Sequence, residues 1–171
     1  MDERDAGMKK EDEINKVRYF VEEKRVIISI PLEERKIQKI YETLIDFCEE
    51  LDGKYFKAKF FVNEKEFHKI IQQNTSYGKI LRKAKFIGFC NEYRTGEKVI
   101  KEYSLHYKFN KKFFEWFSNK FNLSGESEAE IFNSKNKLIA EFPMESIAIL
   151  HNVNKKQIKD LKSKIKEAGL E

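Results

Sequence analysis

The residues best suited to bind a ligand are cations and hydroxyl groups clustered between positions 75 and 83. They are Thr75, Ser76, Tyr77, Lys79, Arg82 and Lys83. Lysine and arginine side chains satisfy phosphate oxygens and guanine acceptors, and hydroxyl groups bond to the backbone or to base edges. The cluster therefore predicts contact with a nucleic acid, although a solvated basic face is also typical of any lysine-rich helix.

Two further groups of cations extend this prediction. The first, at and beside a turn at residues 94–97, consists of Arg94, Lys98 and Lys101. Cations at such a tip would neutralise phosphate, which makes affinity fall with salt. The second, on a helix predicted for residues 155–168, consists of Lys155, Lys156 and Lys159. That C-terminal segment is equally typical of a helical hairpin that packs on the body of the protein or on a second chain.

The charges of the chain are unevenly distributed. The chain of 171 residues has a net charge of +5. Residues 1–53 carry 10 basic and 15 acidic side chains, a net charge of −5, whereas residues 54–120 carry 16 basic and 6 acidic ones, a net charge of +10. Residues 121–171 carry 8 of each. A local positive field of this kind attracts phosphate.

Hydrophobic periodicity predicts the elements around these residues. Apolar residues at three- and four-residue steps predict helices over residues 32–51, 64–73, 78–85 and 110–121. Alternating or β-branched apolar runs predict strands over residues 17–21, 26–30, 55–62, 86–93 and 98–109. A boundary is predicted at residues 124–127. Beyond it, two helices (128–142 and 144–152) are expected before the basic one.

The order of helix, polar turn, basic helix and hairpin over residues 64–112 resembles the winged helix-turn-helix, a nucleic-acid-binding fold. Residues 103–110 are similar to the strand that closes the wing in plasmid and phage replication or regulator proteins. The resemblance implies an α+β fold with a winged helix-turn-helix core. An N-terminal β-hairpin and helix would belong to the same domain (14–123). A disordered charged arm (1–13) would precede it, and a C-terminal helical, helix-turn-helix-like unit (124–171) would follow it.

The resemblance also implies a function. It is non-enzymatic binding of double-stranded DNA, as in a transcription regulator or a replication-initiator-like protein, with a homodimer expected by analogy. Three alternatives stay open. The chain could be a protein-interaction module that uses the aromatic face at 113–117 and the C-terminal hairpin, or an RNA-binding protein. It could also be a nuclease or other nucleic-acid-processing enzyme whose carboxylates meet only on folding.

The sequence contains no motif for metal binding, phosphate binding by a glycine-rich loop or nucleophilic catalysis. His68, His106 and His151 lie in separate predicted elements, each without a second ligand at metal spacing, and no phosphate-binding glycine loop or nucleophile motif occurs. We therefore expect no catalytic residue, metal or cofactor. Cys48 and Cys90 favour two reduced, buried thiols. No apolar run reaches the roughly 18 residues that span a bilayer, which predicts a soluble, cytoplasmic protein without membrane contact.

Overall fold

A computed structural model describes residues 16–31, 33–92, 98–123 and 125–169. Within these ranges the chain forms eight strands and five helices. The strands are β1 (Arg18–Val21), β2 (Arg25–Ser29), β3 (Gly53–Asn63), β4 (Lys85–Glu92), β5 (Lys98–Lys108), β6 (Ser127–Asn133), β7 (Leu138–Phe142) and β8 (Ile147–His151). The helices are α1 (Glu34–Glu50), α2 (Glu64–Gln72), α3 (Ser76–Leu81), α4 (Lys111–Lys120) and α5 (Lys155–Glu167).

All eight described strands join in one antiparallel sheet, in the order β1-β2-β8-β7-β6-β3-β5-β4. The long strand β3 is paired on both sides. Ala58 lies opposite Leu105 of β5 and opposite Ala129 of β6. An early and a late segment of the sequence meet where β2 pairs with β8, with Val26 opposite Leu150. The sheet therefore depends on pairings between segments that are far apart in the sequence.

Alternation along the strands gives the sheet one buried and one open face, because successive side chains point to opposite sides. On β3 the buried residues Phe56, Ala58 and Phe60 alternate with the exposed residues Lys57 and Lys59. The other interior strands repeat this pattern in register. The residues that continue the buried face are Val26, Ile28, Tyr103, Leu105, Ala129, Ile131, Ala140, Phe142, Ala148 and Leu150.

The helices cover the buried face through aromatic contacts. Phe56 contacts Phe113 and Phe114 of α4, with ring centroids 5.8 and 5.5 Å apart. Phe142 of β7 contacts Tyr41 of α1 at 5.9 Å. The aromatic stripe of residues 113–117 thus belongs to the core, which removes it as a partner-binding surface.

Asparagine side chains begin three of the helices. Asn63 accepts a hydrogen bond from the Lys65 amide, and Asn110 accepts one from the Phe113 amide. Asn154 forms a capping box with Gln157 at the start of α5. Such caps satisfy amide groups that have no partner within the helix. They place the first turns of α2, α4 and α5 directly after the preceding strand or turn.

The winged helix-turn-helix prediction is wrong, although most of its elements exist. The hairpin β4–β5 and the helices at 34–50, 64–72 and 111–120 form close to where periodicity predicts them. However, β3, β4 and β5 do not make a small separate sheet, because β3 has a second partner in β6. They form one end of an open, eight-stranded sheet.

The predicted C-terminal helical unit is also wrong, except for its last helix. Residues 127–133, 138–142 and 147–151 are strands, and β6 pairs with β3 from the preceding segment. The physical reason is that buried and more exposed residues alternate with a period of two, as in a strand. Ala129 and Ile131 are buried, whereas Glu128 and Glu130 lie on the other face of the sheet. The predicted charged arm at residues 1–13 lies outside the described residues.

The two cysteines are both free thiols, as expected, but only one of them is buried. Burial raises the pKa of the Cys48 thiol to about 12, because an apolar environment disfavours the thiolate. Cys90 is exposed on β4. In the described part of the chain, no helix is both long and apolar enough to cross a membrane.

Phe60 lies at the centre of an aromatic cluster in the core, so its removal should destabilise the fold. It is fully buried, and its ring contacts those of Phe67, Tyr103, Phe117 and Phe121. We expect Phe60→Ala to lower the free energy of unfolding by about 3–5 kcal/mol in a denaturant titration, because it leaves a cavity. Phe20→Ala is the matched control, since Phe20 is 54% exposed, and its change should stay within about 0.5 kcal/mol. Equal losses for the two variants would contradict the assigned core.

Candidate functional site

The open face of the sheet carries a continuous row of side chains across seven strands. In order along the row they are His106, Lys57, Glu130, Glu141, Ile149, Ile27 and Phe20. The row begins cationic on β5 and β3, becomes acidic on β6 and β7, and ends apolar on β8, β2 and β1. The open face is therefore divided into three chemically distinct zones.

The first zone, which we name the cationic half, lies on the three strands at the β4 end of the sheet. It consists of Lys57, Lys59, Lys85, His106 and Lys108, all exposed. Same-face residues are about 7 Å apart along a strand and about 5 Å apart between strands. In register, Lys85 and Lys59 flank Ser104, and His106 lies opposite Lys57. The cations thus form a close two-dimensional array.

Aromatic side chains lie among these cations. Tyr55 precedes the β3 lysines on the same face and is 44% exposed. It pairs across the sheet with Phe132 of β6 and Lys108 of β5. The Lys57 ammonium group lies 5.1 Å from the centre of the Phe132 ring, within the range of a cation–π contact. Flat apolar surfaces and positive charges therefore alternate on this zone.

The second zone, which we name the carboxylate ridge, consists of Glu128, Glu130 and Glu141. Glu130 lies directly opposite Glu141, an arrangement that is unfavourable for like charges. Neighbouring basic side chains lie beside these carboxylates. The His151 Nε2 atom is 2.6 Å from the Glu141 carboxylate, and the Lys59 ammonium group is 4.0 Å from that of Glu128.

A groove of about 360 Å³ lies between the cationic half and the carboxylate ridge. Its side-chain lining comes from both, and Ser104 and Pro143 complete it. One wall can bind anionic groups, and the other can accept hydrogen bonds. Among the described residues, no group of three or more His, Cys, Asp or Glu side chains is arranged to hold a metal ion.

The hydroxyl residues predicted to meet a ligand are largely engaged in structure. The Thr75 hydroxyl oxygen accepts a hydrogen bond from the Gly78 amide at 3.1 Å and caps α3. Tyr77 stacks on Trp116 of α4, with ring centroids 4.7 Å apart and an interplanar angle of 18°. Ser76 is exposed at the first position of α3. Of the three, Ser76 is the residue whose side chain is exposed, whereas the Thr75 hydroxyl group and the Tyr77 ring are engaged within the protein.

The helix α3 is short and packs tightly on the end of α2. A Cβ atom at Gly78 would lie 2.7 Å from the Gln73 carbonyl oxygen and 2.8 Å from that of Ile70, so only glycine fits there. Arg82 donates to two carbonyl oxygens of the same region, Ile71 at 2.7 Å and Gln73 at 3.3 Å. The guanidinium group thereby ties α3 to α2.

The other predicted cations of the helix and the wing have varied surroundings. Lys79 is exposed on α3. The Lys83 ammonium group lies 4.7 Å from the centre of the Tyr107 ring. Lys101 is mostly buried and bonds to the Glu64 carboxylate at 2.6 Å. Arg94 lies outside the described residues, as does the side chain of Lys98.

The C-terminal cations Lys155, Lys156 and Lys159 are exposed on α5, but they lie far from α3. Helix α5 contacts the first strand, since the Lys162 ammonium group is 5.0 Å from the Tyr19 ring. Lys83, two residues beyond the end of helix α3, contacts Tyr107 of β5. Five strands lie between β1 and β5, which places β5 six strand spacings, roughly 29 Å, from β1. The two predicted groups therefore do not form one interface.

Sequence reasoning missed the cationic half and the carboxylate ridge. A signal for them exists, because Lys57 and Lys59 alternate with Phe56, Ala58 and Phe60 as a one-sided strand requires. A similar alternation occurs in residues 127–132. What the local pattern does not contain is the register that places β3 between β5 and β6.

The Glu64–Lys101 pair makes stability depend on pH. The hydrogen bond from Lys101 lowers the pKa of Glu64, so its contribution is present above about pH 5 and is lost as the pH falls through that lowered pKa. Glu64→Gln should be less stable than the parent at neutral pH, and the difference should shrink toward about pH 3. Urea titrations at both pH values measure this. A difference that grows on acidification would contradict the assigned ion pair.

Comparison with known proteins yields no relative: no family model, no curated protein and no solved structure matches this chain. The chemistry of the open face is therefore the basis for assigning a function.

Proposed function

We propose that the protein binds nucleic acid, without catalysis, on the cationic half of the open sheet face. The observation that carries this proposal is the array of four exposed lysines and one histidine on three adjacent strands. These side chains lie on the face opposite to the packed helices, so a long polyanion can reach them together. Nucleic-acid affinity comes largely from such contacts with phosphates.

Single-stranded nucleic acid fits this surface better than a duplex. Proteins that bind single strands combine a basic groove with aromatic side chains on which bases stack. Tyr55 offers an exposed ring beside the lysines, and Phe132 is half-buried next to it. Antiparallel sheets are known platforms for bases stacked in this way. RNA and single-stranded DNA are both compatible with this chemistry.

The carboxylate ridge suggests how a bound strand would be oriented. Glutamate repels phosphate, but it accepts hydrogen bonds from exocyclic amino groups such as that of cytosine. Phosphates would then lie over Lys57 and Lys59, and bases would point toward Glu128 and Glu130. The groove between the two zones follows the same direction, since all four residues line it.

Helix α3 supports duplex binding less well. Recognition by a helix needs side chains that are free to reach base edges in the major groove. Arg82 is instead bonded to two backbone carbonyl groups, and Tyr77 stacks on Trp116. We further propose a cytoplasmic location, which the two free thiols support.

We expect Lys59→Gln with Lys108→Gln to weaken binding of a single-stranded oligonucleotide. The slope of log affinity against log salt should become shallower by about 1.4, because two phosphate contacts are lost. Fluorescence anisotropy across a salt series measures both quantities. Lys155→Gln with Lys156→Gln is the matched control, since it removes the same charge from exposed positions on α5. That control should keep the parent's affinity and slope.

Four outcomes would overturn the proposal. Equal losses for the two double variants would mean that net charge, and not the open face, determines binding. Tighter binding of a duplex of the same length, lost in Lys79→Gln with Lys83→Gln, would return the site to α3. Absence of binding at low salt would favour the protein-interaction alternative, and cleavage that requires a divalent metal would favour a nuclease.

A further inference from the structure

The edge strand β4 is uncharged and apolar through its middle. It ends the sheet and, among the described residues, pairs only with β5. Its segment from Phe86 to Cys90 contains no charged residue. Phe86 is 48% exposed, Ile87 48% and Phe89 68%, and Cys90 is also exposed. Both sides of this strand therefore present apolar surface at a free backbone edge.

Proteins normally protect such edges with charges, short strands or covering elements, because a free edge pairs with other chains. The opposite edge is protected in this way. β1 has only four residues and is followed by the charged turn residues Glu22 to Arg25. Helix α5 reaches over it through Lys162. The bulge between Phe86 and Gly88 twists β4, but the segment from Phe86 to Cys90 still carries no charge.

We propose that β4 pairs antiparallel with β4 of a second copy of this chain. The strand is self-complementary by residue type, since it begins with Lys85 and ends with Glu92. Full antiparallel overlap sets a lysine opposite a glutamate at both ends of the pair, and it sets apolar middle against apolar middle. Because Ile87 is the extra residue of the bulge, Phe89 then lies opposite Phe89 of the second copy, on the face of the sheet that carries the helices.

This pairing would join two open faces into one surface. Adjacent antiparallel strands of identical chains are related by a two-fold axis perpendicular to the sheet, which is an isologous arrangement. Both open faces then point to the same side, and all helices lie on the other. Because the cationic half adjoins β4 in each copy, the two halves meet at the centre of the dimer.

The dimer extends the site beyond the single chain. The merged surface would carry twice the number of lysines, flanked on either side by a carboxylate ridge. A longer single strand could then contact both copies at once and bind more tightly than a short one. This consequence rests on the proposed function, whereas the pairing of β4 does not.

Oligomeric state, measured by light scattering coupled to size-exclusion chromatography without nucleic acid, tests the pairing. We expect the parent to be a dimer and Phe89→Lys to be a monomer, because two lysines would approach each other across the pair. Phe20→Lys is the matched control, since Phe20 is similarly exposed on the opposite edge strand. It should remain a dimer. A monomeric parent, or dissociation by Phe20→Lys alone, would overturn the proposal.

Chemical cross-linking tests the pairing without depending on how Phe89→Lys folds. Cys90 is exposed and Cys48 is buried, so a short bismaleimide should reach Cys90 alone in the native protein. In the proposed register Cys90 lies opposite Gly88 of the second copy, so the two Cys90 residues are offset by about 7 Å along the strands. We expect a cross-linked dimer in the parent and none in Cys90→Ser. Absence of the dimer in the parent would overturn the proposal and leave nucleic-acid binding by one chain unaffected.

Discussion

The double pairing of β3 is the constraint on which the rest of the structure depends. A strand that is hydrogen-bonded on both sides can direct its side chains only to the two faces of its sheet. In β3, Phe56, Ala58, Phe60 and Val62 are buried under the helices, and Lys57 and Lys59 are exposed on the other face. A slip of one residue would bury these two lysines and expose the four apolar residues, so the register is strongly determined.

This constraint links the core to the proposed site. Phe60 contacts residues of α2, α4 and β5, and those contacts hold the helices on one side of the sheet. The opposite side then remains accessible, and the side chains on it are fixed by the same backbone that carries the core. Lysines placed on paired strands are positioned more rigidly than lysines on a loop. A binding surface of this kind depends on the core behind it for its geometry.

Local periodicity predicts the elements of this protein better than their arrangement. The amphipathic spacing of α1 and the alternation of β5 identify those elements, because neighbouring residues determine both patterns. In residues 127–151 the local pattern predicts helices where the structure has strands, because the strands that pair with this segment lie elsewhere in the chain. The site was missed for the same reason. A cluster such as Lys79, Arg82 and Lys83 is visible in sequence, whereas the array of Lys59, Lys85 and Lys108 exists only once three strands are in register.

Lysine footprinting by acetylation and mass spectrometry, with and without a single-stranded oligonucleotide, tests the central claim most directly. Every lysine of the open face and of the helices reports separately in one experiment. If the open face is the nucleic-acid interface, the oligonucleotide should protect Lys57, Lys59, Lys85 and Lys108 from acetylation. The reactivity of Lys79 and Lys83, on and just after α3, should not change. The same holds for Lys155, Lys156 and Lys159 on α5. Protection of the helical lysines, with the open-face lysines still reactive, would contradict it.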